Sequence, residues 1–373
     1  MSRFEGIYLD HNATTPVKPG VRDIMLEMLD FPGNASAVHK AGREARRRIE
    51  QARKSVSRLV QAGPRDVVVF TSGATEANNM VLRGAGMERV IVSAIEHPSV
   101  LQAAPGGDIL PVRPEGIIDL AALDALLAGN TRQTLISVMT VNNETGVIQP
   151  VEEVVALARK HGALVHTDAV QAPGRVPLDI TASGVDFMTL SAHKMGGPQG
   201  AGCLVVANCA VVEPLLRGGG QEKNLRAGTE NLAAVAGFGV AADLVSMDDA
   251  AKHRVWRDRI ETELSARAPG LRVFGSDAPR VANTSMFSLP GAESETQLIA
   301  LDLAGVCVSN GSACSSGTVQ PSHVLQAMGA DKAEAASSLR VSLGWDTTEE
   351  DVTGFIEKWS DMHDRIKSRL GAA

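Results

Sequence analysis

The chain has 373 residues, of which 44% are hydrophobic and 21% are charged, a balance that is typical of a folded protein with room for two domains and argues against intrinsic disorder. Its formal net charge of −7 and its 3% aromatic content disfavour nucleic acid or an anionic membrane as the main partner, so we expect a small-molecule ligand. The four cysteines lack the CxxC spacing of structural zinc sites, and no metal is expected.

The first residues, MSRFEGIYLDHNATTP, contain no apolar core of signal-peptide length. No uninterrupted apolar run reaches the roughly 18 residues that a membrane helix needs. We therefore expect a cytoplasmic protein, a setting in which structural disulfides are rare.

The first long predicted element is a helix. In HKAGREARRRIEQARKSVSRLVQA (39–62), small and aliphatic residues recur at helical spacing, and Arg43, Arg46, Arg47 and Lys54 fall mostly on other faces. Because the whole chain is acidic, a solvated basic face explains this pattern better than a nucleic-acid site.

Between about residues 65 and 210, short β-branched runs alternate with helical patterns, which predicts an α/β domain with a largely parallel sheet. The strand-like runs are VVVFT (67–71), VIVSA (90–94), LISVM (135–139), ALVHT (163–167) and CLVVA (203–207). Helices are predicted over 119–130, where Asp119 caps the first turn, and over 150–162, which ends in a glycine.

The C-terminal third begins a new pattern. A helical stretch covers 252–267, a strand-like run follows in VANTSMFSLP (281–290), and an amphipathic helix spans about 349–370. We therefore predict a domain boundary near residue 250.

Lys194 follows a strand-like run in DFMTLSAHKMGGPQGAG. A lysine at a strand end is usually a solvated cation. Here the small residues around it would let a bulky ligand approach the backbone, which suits a lysine that forms a Schiff base with a carbonyl cofactor.

The motif FTSGATEANN ends a strand and opens a helix, so Gly73, Ala74 and Thr75 would direct backbone N–H groups at an anion such as phosphate. The alternative is an ordinary capped turn. No P-loop pattern is present and no GxGxxG opens a helix, which disfavours nucleotide-binding folds.

Asp168 ends an apolar strand in VHTDAVQAPG, with Gln171 three residues later. A carboxylate at that position needs a cationic partner, and a protonated pyridine nitrogen would be one, although capping of the next turn is an equal alternative. His97 likewise follows a strand in SAIEHPSV and, alone, would be assigned a structural role.

Cys314 lies in VSNGSACSSGT, where no apolar neighbour is available to bury its sulfur. Free cysteine is usually buried, so an exposed thiol in a Gly/Ser loop indicates reactivity. We expect Cys203, Cys209 and Cys307 to be buried or partly buried small hydrophobic residues.

Phosphate cradle, carboxylate and lysine together are the set that pyridoxal phosphate requires. The chain resembles the cysteine desulfurases of the nitrogen-fixation and iron–sulfur-cluster type, which are class V aminotransferase-family, fold-type I pyridoxal-phosphate enzymes. The resemblance runs nearly end to end through YLDHNATTP, GNASAVH, FTSGATEANN, EHPSV, VNNETG, HTDAVQAPG, SAHKMGGPQGAG, GGGQEKNLRAGTEN, VSNGSACSSG and SSLRVSLG.

The resemblance implies roles for the candidate residues. By it, Lys194 forms the internal aldimine, Asp168 pairs with the pyridine nitrogen, Gln171 contacts the ring hydroxyl, and His97 stacks on the ring and shuttles protons. The phosphate contacts implied are Ala74, Thr75, Ser191 and His193, together with Thr229 from the other subunit of a dimer.

Three further residues receive roles at the substrate. Asn143, beside the cofactor, and Arg340 match the positions that hold the substrate carboxylate, and a guanidinium suits that two-oxygen target. Cys314 matches the nucleophile that takes sulfur from cysteine as a persulfide.

The implied fold is a large cofactor-binding domain (16–250), whose mainly parallel mixed sheet is flanked by helices, and a smaller α/β domain (1–15 and 251–373) that carries the cysteine loop. The implied activity converts L-cysteine to L-alanine and passes sulfur to acceptors for iron–sulfur cluster or other thio-cofactor biosynthesis. The implied partners are a second copy of the chain, in a homodimer, and a sulfur-acceptor protein such as an iron–sulfur scaffold.

Two other hypotheses remain. Another reaction on the same cofactor, such as transamination or selenocysteine cleavage, would not need Cys314. A binding or regulatory protein that keeps the fold without turnover is disfavoured, because Lys194, Asp168, Arg340 and Cys314 are all present.

Overall fold

The computed structural model describes residues 5–207, 210–311 and 321–370. Its strands and helices in chain order are β1 (Ile7–Tyr8), α1 (Pro19–Leu29), α2 (Lys40–Leu59), β2 (Val67–Thr71), α3 (Ala74–Gly84), β3 (Arg89–Ser93), α4 (Pro98–Leu101), β4 (Asp108–Leu110), α5 (Leu120–Leu127), β5 (Thr134–Ser137), α6 (Val151–Lys160), β6 (Leu164–Asp168), α7 (Ile180–Ser183), β7 (Phe187–Ser191), β8 (Gly202–Val206), α8 (Leu232–Asp243), α9 (Ala250–Arg267), β9 (Arg272–Val273), β10 (Thr284–Ser288), α10 (Ser294–Leu303), β11 (Val306–Cys307), α11 (His323–Ala327), α12 (Lys332–Ala336), β12 (Ser338–Ser342) and α13 (Glu349–Leu370). Short 3₁₀ turns cover Ala192–Lys194 and Gln221–Asn224.

A seven-stranded sheet in the order β2-β8-β7-β6-β5-β3-β4 dominates the first part of the chain. Strand β8 runs antiparallel to both of its neighbours, and the other neighbouring pairs are parallel. Alternate side chains of these strands pack on opposite faces: Val68 and Phe70 join the core beneath α2 and α8, whereas Val69 joins the core beneath α3. Helices therefore cover both faces, and the predicted mainly parallel α/β fold is confirmed.

The carboxyl ends of the parallel strands meet at one edge of this sheet. Strand β2 leads into α3, β6 ends at Asp168, and β7 ends just before Lys194. In open α/β sheets this edge is where ligands bind. Motifs that are far apart in the sequence therefore lie close together in space.

Helix α8 lies against α1 and α2, and its sequence LAAVAGFGVAAD is apolar on every side. A Cβ atom placed on Gly239 would lie 2.5 Å from the Ala52 Cα atom, so glycine permits the close approach of α8 to α2. The charged face of α2 is exposed, as predicted for Arg43, Arg46, Arg47 and Lys54.

The C-terminal part has its own sheet, β12-β10-β9, and its own core around Phe287, Phe355 and Trp359. The N-terminal segment joins this part: β1 pairs in parallel with β11, and Asp10 bridges to Ser342. The predicted boundary near residue 250 coincides with the start of α9, while the division into two domains stays a prediction.

Most predicted elements occur within a few residues of their expected bounds. Strand β2 and helix α13 agree with the prediction, and Asp119 accepts hydrogen bonds from the N–H groups of Ala121 and Ala122 at the start of α5. Among the described residues, no helix combines the length and apolar character that crossing a membrane requires.

Candidate active site at the carboxyl edge of the large sheet

A cavity of about 730 Å³, the main cavity, opens at the carboxyl edge of the large sheet. The strand ends, the segment Asp10–Thr14 and strand β12 all contribute to its wall. Ten residues predicted from the sequence line it: Ala74, Thr75, His97, Asn143, Asp168, Gln171, Ser191, His193, Lys194 and Arg340. Cys314 lies outside the described residues.

One end of the main cavity is the N-terminus of α3. Helix α3 begins at Ala74, so the N–H groups of its first turn have no partner within the helix and face an acceptor placed there. A Cβ atom on Gly202 would lie 2.6 Å from the carbonyl carbon of Gly73, so the backbone is closely packed behind this turn. Such an end binds anions.

Ser191 and His193 border the same end. Burial, followed by the Lys194 charge, lowers the pKa of His193 to about 4, and its Nδ1 atom lies 3.2 Å from Thr14 Oγ1. His193 is therefore neutral at pH 7 and can donate or accept one hydrogen bond there.

Asp168 is buried where β6 ends. Its Oδ2 atom accepts from Asn78 Nδ2 at 2.8 Å, and its Oδ1 atom accepts from the Val170 N–H at 3.0 Å. Asn78 had no predicted role, although it belongs to the motif FTSGATEANN, four residues after Ala74 and thus one helical turn along α3. These two donors orient the carboxylate.

The same asparagine connects Asp168 to His97. Asn78 Nδ2 also donates to Ser99 Oγ at 2.9 Å, and the Ser99 N–H donates to His97 Nδ1 at 3.1 Å. Because a backbone N–H can only donate, Nδ1 is the acceptor, and the neutral ring carries its proton on Nε2. Burial lowers the pKa of His97, which favours this neutral form, although the Asp168 charge opposes the shift.

Lys194 sits in the 3₁₀ turn that follows β7. Its Nζ atom donates to the carbonyl oxygens of Asn12, at 2.5 Å, and Ala13, at 2.7 Å. Burial, reinforced by the charges of Arg340 and Arg175, lowers the pKa of Lys194 to about 7. A large fraction of this amine is therefore neutral and nucleophilic at neutral pH.

Arg340 reaches the main cavity from strand β12. Its Nη1 atom donates to the Asn143 carbonyl oxygen at 3.0 Å, and its Nη2 atom pairs with Asp10 Oδ1 at 2.6 Å. Within the described part of the chain, its buried Nε atom has no hydrogen-bond partner. A buried donor without a partner is costly, so this guanidinium is suited to receive a further acceptor from a ligand.

The side-chain amide of Gln171 is held on both sides. Its Nε2 atom donates to the Asn12 carbonyl oxygen at 3.0 Å, and its Oε1 atom accepts from Arg175 Nη1. Arg175 and the segment Asp10–Thr14 had no predicted role, although the latter forms most of the quoted motif YLDHNATTP.

Two more polar residues of the main cavity were missed. Burial raises the pKa of Glu144, whose Oε2 atom accepts from Ser322 Oγ at 2.5 Å. His323 is the second of these residues, and its Nε2 atom donates a hydrogen bond to the Glu96 carbonyl oxygen at 3.0 Å. Glu144 and Glu96 belong to the motifs VNNETG and EHPSV, which were recognised without a role for these carboxyl groups.

Thr229 is exposed and does not line the main cavity of its own chain. The segment before it is anchored by two ion pairs: Glu222 to Arg53 at 2.7 Å, and Arg226 to Glu76 at 2.9 Å. The predicted contact of Thr229 with a second subunit stays a prediction.

Cys203 and Cys307 behave as expected of small hydrophobic residues. Cys203 is fully buried and Cys307 is partly buried, and burial raises the pKa of both thiols. Neither is a favourable thiolate nucleophile at neutral pH. Cys209 lies outside the described residues.

Residues 7–355 match the family described as aminotransferase class-V. A cysteine desulfurase from Cereibacter sphaeroides is 39% identical over 379 residues, which covers 98% of this chain and 97% of that protein. An IscS-like cysteine desulfurase from Mycobacterium tuberculosis is 38% identical and covers 94% of both chains.

Solved structures agree with this similarity. A NifS-like protein from Rickettsia africae superposes with a TM-score of 0.90 at 35% identity, covering 96% of this chain and 99% of that one. The structure described as SspA in complex with cysteine superposes with a TM-score of 0.78 at 32% identity, covering 90% and 98%.

Proposed function

We propose that this chain, which belongs to the class-V aminotransferase family and within it to the cysteine desulfurases, is a pyridoxal-phosphate enzyme that converts L-cysteine to L-alanine and takes the sulfur onto Cys314. The observation that carries the proposal is the shared wall of one cavity: Lys194, Asp168 and Arg340 reach it from three separate parts of the chain.

The residues of the main cavity fit pyridoxal phosphate. The first turn of α3 offers N–H donors to a phosphate, and the oriented Asp168 carboxylate offers a partner to a pyridinium nitrogen. Lys194 offers an amine that is largely neutral, the form that attacks an aldehyde. Phosphate, ring and aldehyde would thus each find a matching group.

The residues that would hold the cofactor follow from this fit. Lys194 would bind it covalently, Asp168 would pair with the ring nitrogen, and Gln171 would donate to the ring hydroxyl from its second Nε2 hydrogen. His97 would stack on the ring. The phosphate would be held by Ala74, Thr75, Ser191 and His193. When bound, pyridoxal phosphate supplies an electron sink that weakens bonds of an attached amino acid.

The substrate carboxylate would lie at Arg340. The Nε–H group, which has no partner among residues that the structure describes, and a neighbouring Nη–H group can form two parallel bonds to two carboxylate oxygens. Asn143, whose carbonyl already fixes Nη1, would lie beside them.

Proton transfer at the substrate would fall to Lys194 and His97. The neutral Lys194 amine can take a proton from the substrate's α-carbon and return it to carbon later. The His97 ring, with its proton on Nε2, can donate it into the cavity.

Sulfur transfer would occur at Cys314. Its thiolate would attack the substrate sulfur, so that a sulfur–sulfur bond forms while the bond between the substrate's β-carbon and sulfur breaks. The electron pair of the broken bond stays with the β-carbon, which gains a proton and leaves as part of alanine. The net change is one thiol and cysteine to one persulfide and alanine.

We further propose a homodimer in which Thr229 contacts the phosphate site of the neighbouring subunit, and a protein that accepts sulfur from Cys314, such as an iron–sulfur scaffold. The anchored segment that ends at Thr229 supports the first proposal, because two ion pairs hold an exposed threonine in place. The partners of Glu222 and Arg226 lie on α2 and α3, so the segment is held at two points before it reaches Thr229.

The test is alanine and persulfide formation from cysteine by Cys314→Ala. The variant should bind cysteine with the parent absorbance change, because Lys194, Asp168 and Arg340 are intact, yet it should form neither product. Cys307→Ala is the matched control and should keep the parent rate, because the pKa of that thiol is raised.

If Cys314→Ala released alanine and sulfide at the parent rate, the enzyme would be a lyase that needs no protein thiol. If Cys307→Ala lost product formation and Cys314→Ala did not, the nucleophile would be Cys307, and the assignment of Cys314 would be wrong.

A further inference from the structure

Arg175 follows β6 and lies beside a second cavity of about 300 Å³. The titratable residues His11, Lys18, Arg175, Asp249 and His253 are among those that line this second cavity. Among the described residues, Lys194 is the one that lines both the second cavity and the main cavity. The two spaces therefore meet at the lysine.

The guanidinium group of Arg175 donates to an amide oxygen, Gln171 Oε1, instead of a carboxylate. Burial and the Arg340 charge lower the pKa of Arg175 to about 9, and no carboxylate among the described residues offsets them. Arg175 is thus a partly buried cation at neutral pH that forms no ion pair with a carboxylate among the described residues.

This contact fixes the orientation of Gln171. An arginine side chain has donors and no acceptor, so the oxygen of the Gln171 amide must face Arg175 and the nitrogen must face the other way. The nitrogen donates to the Asn12 carbonyl oxygen at 3.0 Å, and the same oxygen accepts from Lys194 Nζ at 2.5 Å. A continuous chain of hydrogen bonds runs from Arg175 to Lys194.

Charges of both signs act on Lys194, the two arginines more strongly than the two carboxylates. Arg340 and Arg175 favour its neutral form, whereas the carboxylates of Asp10 and Asp168 favour its protonated form. The neighbouring rings of His193 and His97 add little, because burial favours their neutral forms. Removal of one guanidinium would tip this balance toward the protonated amine.

We propose that Arg175 is a positioning residue, which holds the Gln171 amide with its nitrogen toward Asn12 and keeps a positive charge behind Lys194, so that the lysine reacts as a neutral amine. The inference rests on the proposed function, since it takes Lys194 as the amine that binds the cofactor. Arg175 does not line the main cavity and acts on it through Gln171.

The test measures the amine directly and needs no turnover. The full-length chain, freed of cofactor, is labelled with a trace of acetic anhydride at a series of pH values, and mass spectrometry follows the peptide that contains Lys194. In the parent protein half-maximal labelling should occur near pH 7. In Arg175→Met the midpoint should rise by about one pH unit, the effect of removing a nearby like charge, so that labelling at pH 7 slows about fivefold.

Two variants serve as controls. Arg175→Lys keeps the charge and one donor, and should leave the midpoint within about 0.3 units of the parent. Arg65→Met removes an exposed arginine that does not line either cavity, and should not move it. If Arg175→Met proves unstable, Arg175→Gln removes the same charge with a polar side chain.

An unchanged midpoint in Arg175→Met would overturn the inference, as would an equal rise in Arg175→Lys. These outcomes are separate from the proposed function, whose failure would appear as a parent enzyme that makes no alanine. In the loaded enzyme we expect Arg175→Met to lower kcat and to shift the acid limb of the kcat profile to higher pH.

Discussion

Arg340→Lys tests the substrate end of the site. The arginine donates from Nη1 to the Asn143 carbonyl oxygen, at 3.0 Å, and from Nη2 to Asp10, at 2.6 Å, and none of the described residues accepts from its Nε–H group. A lysine has the same charge but presents all its donors from one atom. If two of them satisfy Asp10 and Asn143, a single donor remains for the substrate carboxylate in place of two parallel ones.

The expected loss is one hydrogen bond to a charged group, about 1.5–3 kcal/mol. Affinity for cysteine should therefore fall by about ten- to hundred-fold, since each 1.4 kcal/mol is a factor of about ten. The charge is kept, so the pKa of Lys194, which Arg340 helps to lower, should change little. The absorbance of the bound cofactor should remain as in the parent.

The assay compares two ligands by the change in cofactor absorbance on titration. Cysteine carries the carboxylate, whereas cysteamine has the same amine and thiol without it. Arg340→Lys should weaken cysteine binding and leave cysteamine binding within about twofold of the parent, because no carboxylate contact exists to lose. If the binding of both ligands weakened equally, the substitution would have damaged the cavity as a whole. An unchanged affinity for cysteine would refute the role of Arg340 in binding the substrate carboxylate.

Two further predictions concern the cofactor and the assembly. Lys194→Ala should purify without the yellow colour of the parent and should form no alanine. An absorbance spectrum checks the colour and an alanine assay checks the activity. Turnover at the parent rate would contradict the assignment of Lys194 as the residue that binds the cofactor. Thr229→Ala and Lys194→Ala, each inactive alone, should recover about a quarter of the parent activity when dissociated and mixed, because half of the random dimers carry one intact site. No recovery would mean that both residues serve the same chain.

Local sequence patterns were sufficient for the strands that form the site. Val67–Thr71 is a β-branched run that ends at a serine and a glycine, so both its type and its end could be predicted. The positions of Lys194 and Asp168 at the cavity follow, because parallel strands expose their carboxyl ends at a common edge.

Helix α8 and the buried Arg53 show where local patterns are insufficient. The sequence of α8 has no polar face, so its periodicity carries no signal, and its burial depends on the close approach of Gly239 to Ala52. Arg53 lies on a strongly basic helix, yet it is buried and pairs with Glu222, 169 positions later. Partners so distant in sequence leave no local pattern.

The polar residues that support the site were missed for the same reason. Asn78, Glu144 and Arg175 lie within or beside recognised motifs, but their roles depend on which atoms they meet in the folded chain. Resemblance to a family assigns roles to the residues that touch ligand. It does not assign them to the residues that orient those side chains.

The ion pair between Asp10 and Arg340 has a consequence for the biosynthesis of the enzyme. The two residues are 330 positions apart. Strand β1 likewise cannot pair until β11 has been synthesised. At about 5–20 residues per second of synthesis, the N-terminal segment spends roughly 20–60 s outside the ribosome before its partners emerge. Until then the Arg340 charge, which helps to lower the pKa of Lys194, is absent from the site. The site is therefore completed only after translation of β12, so that a nascent chain stalled earlier lacks one of the two guanidinium groups that favour the neutral, aldehyde-reactive amine of Lys194.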